Sequence, residues 1–268
     1  MASSLGRAWL VGCGNMAGAM VEGWRKAGVD LSQAVAIRPS GTPVEGLRTV
    51  AELPDGVPEL ALLGFKPQKL DEIAPGLATA LGPETVVVSI LAGVEASSLR
   101  QRFPNAGAIV RAMPNLPVSE RRGVVALYSE EADAALRDRL SALFAPLGRT
   151  HWARDQAEFS AIGALAGAGP AYVARFIAAL AKAGEARGLA PGLAQAIALE
   201  TVAGTALMAE AKGEAMDEVA RRVASPNGTT EAGLAVLDEN EALDRLIAET
   251  IAAAARRGAE LAAAARRP

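Results

Sequence analysis

The chain has 268 residues, 51% of them hydrophobic, and a formal net charge of -3 from 27 Lys and Arg against 30 Asp and Glu. That apolar content supplies a core for one large or two medium domains and excludes a disordered chain. The lack of a basic cluster argues against a nucleic-acid partner, whose phosphates need grouped cations. A single cysteine, Cys13, and a single histidine, His151, exclude an intramolecular disulfide and a Cys/His metal cluster.

The opening residues Met1–Arg7 lack a charged-then-apolar leader, which predicts a cytoplasmic protein. A strand, Ala8–Val11, then runs into Gly12-Cys13-Gly14-Asn15-Met16-Ala17 and a helix over Met16–Ala27. This matches the dinucleotide fingerprint G-x-G-x-x-G/A: Gly12 for the tight turn, Gly14 for close approach to a pyrophosphate, and Ala17 as the small third residue between helix and strand. Cys13 is a small spacer, and Asn15 and Met16 open the helix whose positive end faces the phosphates. The next strand, Ala34–Ile37, decides which dinucleotide fits. An acid about 20 residues beyond the glycines would hold the ribose 2'-hydroxyl of NAD. Here the strand ends in Arg38-Pro39-Ser40-Gly41-Thr42 instead. Arg38 and Ser40, with Thr42, are donors suited to a 2'-phosphate, which predicts NADPH as cofactor with NADH as the second candidate.

Strands over Leu60–Phe65, Thr85–Ile90, Gly107–Arg111 and Val124–Tyr128, with helices over Gln68–Leu81 and Ala96–Arg102, continue a βαβ alternation. The predicted fold class is an α/β, Rossmann-like, doubly wound sheet. Ligands of such sheets bind beyond the carboxyl ends of the strands, so the turns there form the walls of a cofactor cleft. The candidates are Gly64-Phe65-Lys66-Pro67, Ser89-Ile90-Leu91-Ala92-Gly93 and Arg111-Ala112-Met113-Pro114-Asn115; Gly64, Lys66, Pro67, Leu91 and Ala92 are the individual residues assigned to the cofactor. A dinucleotide carries redox chemistry without a reactive side chain. His151, after a Gly148-Arg149-Thr150 turn near the expected domain junction, therefore reads as a structural surface or boundary residue.

Beyond about residue 152 the strand patterns cease and alanine-rich helical patterns take over. This predicts two domains, 1–152 for the dinucleotide and 153–268 all helical, the last helix running roughly Glu241–Arg266. Ala161–Ala181 has the length of a membrane span, but Gly163, Gly167, Gly169, Pro170 and Arg175 and the missing basic flank read as helix, break, then buried helix. A domain this small cannot cover such a helix alone, so a second subunit is the expected cover. In the segment from Val223 to Leu234, Pro226 and Gly228 stop one helix and Thr229 and Thr230 begin the next. Free amides and hydroxyls gather there. The arrangement suits a carboxylate, or equally plain N-capping by a threonine with Glu231 as first-turn acid.

Taken end to end, the pattern resembles the pyrroline-5-carboxylate reductases. The resemblance rests on Gly12-Cys13-Gly14-Asn15-Met16-Ala17, Phe65-Lys66-Pro67-Gln68, Ser89-Ile90-Leu91-Ala92-Gly93-Val94, Arg111-Ala112-Met113-Pro114-Asn115, Gly167-Ala168-Gly169-Pro170-Ala171-Tyr172 and Ser225-Pro226-Asn227-Gly228-Thr229-Thr230. It implies an N-terminal Rossmann domain and a C-terminal dimerisation domain, in a homodimer or an assembly of dimers. It also implies an active site between one subunit's cofactor and its partner's Ser225–Thr230 turn. The implied reaction is hydride transfer from NADPH to the imine carbon of 1-pyrroline-5-carboxylate, giving L-proline. In that scheme Ser225, Asn227, Gly228 and Thr229 form the substrate turn, with the Ser225 hydroxyl and the amides of Gly228 and Thr229 on the carboxylate. The catalytic Thr230 hydroxyl bonds the ring nitrogen.

The chain departs from the family at Ala166 and Ala168, where serines are usual, and at Asn227 (glycine), Leu116 (threonine) and Ala51 (asparagine). Asn tolerates left-handed backbone, so the turn survives, while the lost Ala168 hydroxyl and the added Asn227 side chain bear on substrate range. Two alternatives therefore stay open: reduction of another cyclic imine or imino acid, and a non-catalytic NADP-binding regulator.

Overall fold

A computed structural model describes residues 4–265. Eight strands form one sheet: β1 Ala8–Val11, β2 Val35–Ile37, β3 Arg48–Val50, β4 Leu60–Leu63, β5 Val86–Ser89, β6 Ala108–Pro114, β7 Gly123–Tyr128 and β8 Gly148–Trp152, in the order β3-β2-β1-β4-β5-β6-β7-β8. All neighbours are parallel except β6 and β7. The central strands are buried along their whole length, as a parallel sheet covered on both faces requires.

The register sorts side chains by row. Leu10, Leu62, Val88 and Val110 stand side by side, and so do Trp9, Ala61, Val87 and Ile109 one position earlier. Successive residues point to opposite faces, so the two rows feed two cores. The first packs under helices α1 (Asn15–Lys26) and α4 (Ala134–Phe144) through Met20, Trp24, Leu140 and Phe144. The second packs under α2 (Leu70–Ala80) and α3 (Ala96–Arg102) through Leu70, Leu77 and Leu99. Trp24 lies 5.9 Å from the Phe144 ring and donates its indole N–H to the Leu143 carbonyl at 2.9 Å, which satisfies its polar atom inside the core.

Several elements differ from the sequence-based expectation. Arg111–Asn115 is not a strand-ending turn, because β6 continues to Pro114 by pairing antiparallel with β7, Arg111 opposite Tyr128 and Pro114 opposite Val125. Gly148-Arg149-Thr150 is the start of edge strand β8, with Arg149 and His151 exposed and alternate residues turned inward. Gly148 begins it at φ 134°, where a Cβ would lie 2.1 Å from the Gly123 carbonyl oxygen. The short strand β3 was also unforeseen, and the helix expected from Gln68 opens as a 3-10 turn, Pro67–Lys69, before α2.

After Trp152 the described residues are helical: α5 Gln156–Ile162, a π-helical turn Gly163–Gly167, α6 Gly169–Glu185, α7 Pro191–Lys212, α8 Met216–Val223, α9 Thr229–Asp238 and α10 Ala242–Ala265. The chain divides into two compact units, Met1–Ala168 with Ala254–Pro268, and Gly169–Ala253. The first division falls after Ala168 because α5 and the π turn pack with the sheet. Phe159 is buried with Ala126, Tyr128 and Ala153, and a Cβ at Gly163 would lie 2.2 Å from the Met113 sulfur. The break foreseen near Gly163 is thus this π turn. Buried Asn115 secures it: its Nδ2 donates to the Ala166 carbonyl at 3.0 Å while its Oδ1 accepts from the Val124 N–H at 2.8 Å.

In the second unit α6 and α7 meet through Ala181, Ala194 and Ala198, with Ile177 beside them. Helix α6, read as buried, covers only Ala181 within the single chain, while Val173, Phe176 and Leu180 are exposed. Leu193, Ile197, Leu199 and Leu207 of α7 are exposed as well. Gln156–Glu185 and Pro191–Lys212 are long and apolar enough to cross a membrane by length and composition.

Asn115→Ala strips partners from two backbone groups at once. We expect it to destabilise the first unit by about 1–3 kcal/mol for each group left buried and unpaired. Denaturant unfolding checks this, and an unchanged midpoint would contradict the role of Asn115.

Candidate active site

The carboxyl ends of β1, β2, β4 and β5 are held level by backbone bonds that continue the ladders into their turns. Gly12 N–H donates to the Ile37 carbonyl (2.9 Å), Arg38 N–H to Val50 (2.8 Å), Gly64 N–H to Val11 (2.9 Å) and Ile90 N–H to Leu63 (3.1 Å). The strand order reverses between β1 and β4, and the crevice of an open α/β sheet lies at that reversal.

Two turns cross there in near contact. Gly12 has φ 76°, a left-handed conformation, and a Cβ on it would lie 2.8 Å from the Phe65 Cβ. A Cβ on Gly64 would lie 2.7 Å from the Gly12 carbonyl oxygen and 3.0 Å from the Ala17 Cβ. This is the physical content of the third fingerprint position: Ala17, buried, is as large as the crossing tolerates. Helix α1 then starts at Gly14 with no side-chain cap and no acid in its first turn. Its first internal bond is Gly18 N–H to the Gly14 carbonyl at 2.8 Å, so the amides of Asn15, Met16 and Ala17 have no acceptor within the helix. Uncapped amides at a helix amino end bind anions, and the nearest atom to a Cβ on Gly14 is the Gly64 oxygen at 4.0 Å, which leaves backbone open to a ligand.

Beside this cradle, the turn after β2 is cross-braced. The Arg38 guanidinium donates to the Thr42 carbonyl at 3.0 Å, Ser40 and Thr42 hydroxyls lie 2.9 Å apart, and Gly41 N–H closes on the Arg38 carbonyl at 2.8 Å. No carboxylate occurs between Arg38 and Val44. The fit to a phosphorylated ribose is therefore chemical: a cation and two hydroxyls, with no acid to repel. Cys13 is buried in the neighbouring turn, and burial pushes its thiol pKa up against the pull of the Arg38 charge. Exposed Lys66 and half-buried Pro67 open the 3-10 turn after β4. Leu91 is buried, with its N–H on the Ser89 hydroxyl at 3.3 Å, and Ala92 is exposed beside it. The residues assigned to the cofactor thus sit on turns, and for Asn15 and Met16 on the first turn of α1, at this one end of the sheet.

Arg111 was not singled out from sequence. It is buried in β6, donates to Gln156 Oε1 at 2.6 Å and lies 4.5 Å from the Phe159 ring centroid. Burial lowers its pKa to about 10, with Glu95 and Tyr128 pulling the other way. A lone arginine inside an apolar strand was the available signal.

In the second unit, the Ser225–Gly228 turn leads into α9. Asn227 adopts φ 57°, the left-handed conformation that asparagine tolerates. A Cβ on Gly228 would lie 2.4 Å from the Ser225 hydroxyl oxygen and 2.9 Å from its carbonyl oxygen, so a larger residue would have to shift the turn. Gly228 N–H, a predicted carboxylate donor, is spent in the turn itself, donating to the Ser225 carbonyl at 2.9 Å. Gly228 is also the N-cap, without any side-chain cap, so neither threonine caps the helix. The first internal bond runs from Ala232 N–H to Gly228 at 3.2 Å. Thr229, Thr230 and Glu231 are left with amides that have no acceptor inside α9.

A family model described as pyrroline-5-carboxylate reductase dimerisation matches residues 156–261. A pyrroline-5-carboxylate reductase of Pseudomonas aeruginosa is 34% identical over 262 residues, 94% of this chain and 95% of that protein. The chain belongs to the pyrroline-5-carboxylate reductase family. The structure of a family member from Coxiella burnetii matches with a TM-score of 0.87 at 28% identity, covering 96% of this chain and 98% of that one. A Plasmodium falciparum member, solved with NADP bound, matches with a TM-score of 0.83 at 21% identity, covering 97% and 99%. The matched helical region is described as a dimerisation domain, which supports homo-oligomerisation, and the exposed apolar residues of α6 and α7 lie within it.

Proposed function

We propose that this chain reduces 1-pyrroline-5-carboxylate to L-proline with NADPH, the last step of proline biosynthesis, as a cytoplasmic homodimer or assembly of dimers. The observation that carries the reading is the 34% identity over 94% of the chain. Residues 1–152 serve as the dinucleotide domain and 153–268 as the dimerisation and substrate domain. The site is completed by one subunit's cradle and its partner's α9 turn.

In this reading Gly12, Cys13, Gly14, Asn15 and Met16 hold the pyrophosphate and Arg38 with Ser40 holds the 2'-phosphate. Gly64, Lys66, Pro67, Leu91 and Ala92 line the rest of the cofactor. The bound dinucleotide supplies the hydride to the imine carbon. The substrate carboxylate lies on the Ser225 hydroxyl and the free amides of Thr229 and Thr230, within the turn that Asn227 and Gly228 shape. The Thr230 hydroxyl donates to the ring nitrogen as it gains electron density, and an imine bound already protonated needs no stronger acid. Orientation of the two reactants supplies most of the rate enhancement.

The direct test is loss of NADPH absorbance on adding 1-pyrroline-5-carboxylate, with proline as product. NADPH bound tightly but left unoxidised by any cyclic imine would contradict the reading, and faster turnover of six-membered imino acids would reassign the substrate.

Arg38→Ala should weaken NADPH more than NADH, by about 1–3 kcal/mol, the range for a charge-assisted hydrogen bond. Equal losses for both cofactors in fluorescence titrations would show that Arg38 does not read the 2'-phosphate.

Thr230→Val keeps the shape and deletes the donor. We expect kcat/KM to fall roughly 10- to 100-fold with NADPH affinity unchanged. Because Gly228 and not Thr230 is the N-cap, the melting temperature should stay near that of the unaltered protein. A lowered melting temperature with unaltered turnover would refute the chemical role.

A further inference from the structure

The α9 amino end already holds a carboxylate. Glu231, in the first turn of the helix, reaches back so that its Oε2 accepts the Asn227 N–H at 2.6 Å. The contact ties the third helical residue to the left-handed residue just before the N-cap. Glu231 is exposed and, among the described residues, shares no ion pair that would neutralise it. The same few ångströms of backbone therefore carry three free amides and one full negative charge of the protein's own. The proposed substrate brings a second carboxylate to these amides.

We propose that Glu231 is a specificity-determining residue: a resident anion that opposes the substrate's carboxylate at the α9 amino end and sets how tightly a carboxylated imine binds. The inference rests on the functional reading above and deepens it. The favourable field of a helix amino end is local, confined to its first turn, so two anions there share one set of donors and repel each other. With Asn227 N–H taken by Glu231 and Gly228 N–H taken by Ser225, an incoming carboxylate is left with the amides of Thr229, Thr230 and Glu231 and the Ser225 hydroxyl. The opposition is a property of charge. It acts on 1-pyrroline-5-carboxylate, and it does not act on 1-pyrroline, the same ring without the carboxylate, whose protonated nitrogen a nearby anion would favour.

Glu231→Gln separates charge from architecture, because its amide oxygen still accepts the Asn227 N–H. We expect KM for 1-pyrroline-5-carboxylate and the inhibition constant of proline to fall together, about two- to fivefold, as loss of a first-turn charge allows. KM for 1-pyrroline should stay level or rise, and NADPH affinity should not move. Glu231→Ala should shift KM the same way even where it loosens the turn. An unchanged or raised KM for the carboxylated substrate, or an equal fall for both rings, overturns the proposal. If the unaltered protein turns over neither ring, the functional reading fails and this inference fails with it. Turnover by the unaltered protein with no KM change in Glu231→Gln removes the role of Glu231 alone.

Discussion

The close crossing of the turn after β1 over the turn after β4 is the constraint on which the cofactor end of the molecule depends. Three small residues make it: Gly12, Gly64 and Ala17 approach to distances that no Cβ at either glycine could occupy without pushing backbone apart. Once the turns lie this close, α1 starts directly above the sheet with its first amides uncapped, and the strand reversal between β1 and β4 opens beneath it. The uncapped helix end proposed above to hold an anion is thus a consequence of packing. The first turn of α1, Asn15 to Gly18, carries no charged side chain, so the proposed pyrophosphate site rests on its uncapped backbone amides. Charge enters one strand over, at Arg38, the residue proposed above to read the ribose phosphate.

The helical unit follows a different logic. Its α6–α7 contact is built from alanines, which lets the two helices come close but buries little large apolar surface within one chain. Leucine, isoleucine, valine and phenylalanine remain exposed along both helices, a combination that a soluble monomer avoids and that an assembly of identical chains resolves. The matched dimerisation region coincides with this surface. Charges such as Arg175, Lys182 and Glu200 within these helices also fit a protein partner better than a bilayer core.

Much of this was legible in the chain because local rules and tertiary outcome agree. The fingerprint at Gly12–Ala17, the absence of acid after β2, the helix over Ala96–Arg102 and the end of strand patterns near Trp152 each follow from period and turn chemistry. The failures have physical causes too. Gly148 looks like a turn glycine, but it is needed for the approach to Gly123 that starts an edge strand. Arg111 and Pro114 look like strand breakers, yet Arg111 finds Gln156 and the Phe159 ring, and Pro114 sits where β6 pairs antiparallel with β7. Glycines 163 and 167 announce a break but not its form, a π turn whose Ala166 carbonyl is taken by Asn115, 51 residues away. At the candidate substrate turn, sequence located Ser225–Thr230 but not the destination of each amide. Which N–H groups are spent depends on the fold of the turn and on Glu231 reaching back.

The central claim is that a hydride passes directly from the nicotinamide to the imine carbon of a five-membered ring. It is tested most directly by incubating the protein with 1-pyrroline-5-carboxylate and NADPH deuterated at both C4 positions, then locating the label in the product by NMR and mass spectrometry. The account predicts L-proline with a single deuterium on the ring carbon next to nitrogen that lies opposite the carboxylate-bearing carbon. NADPH oxidation that leaves proline unlabelled, or that yields no proline, would contradict it.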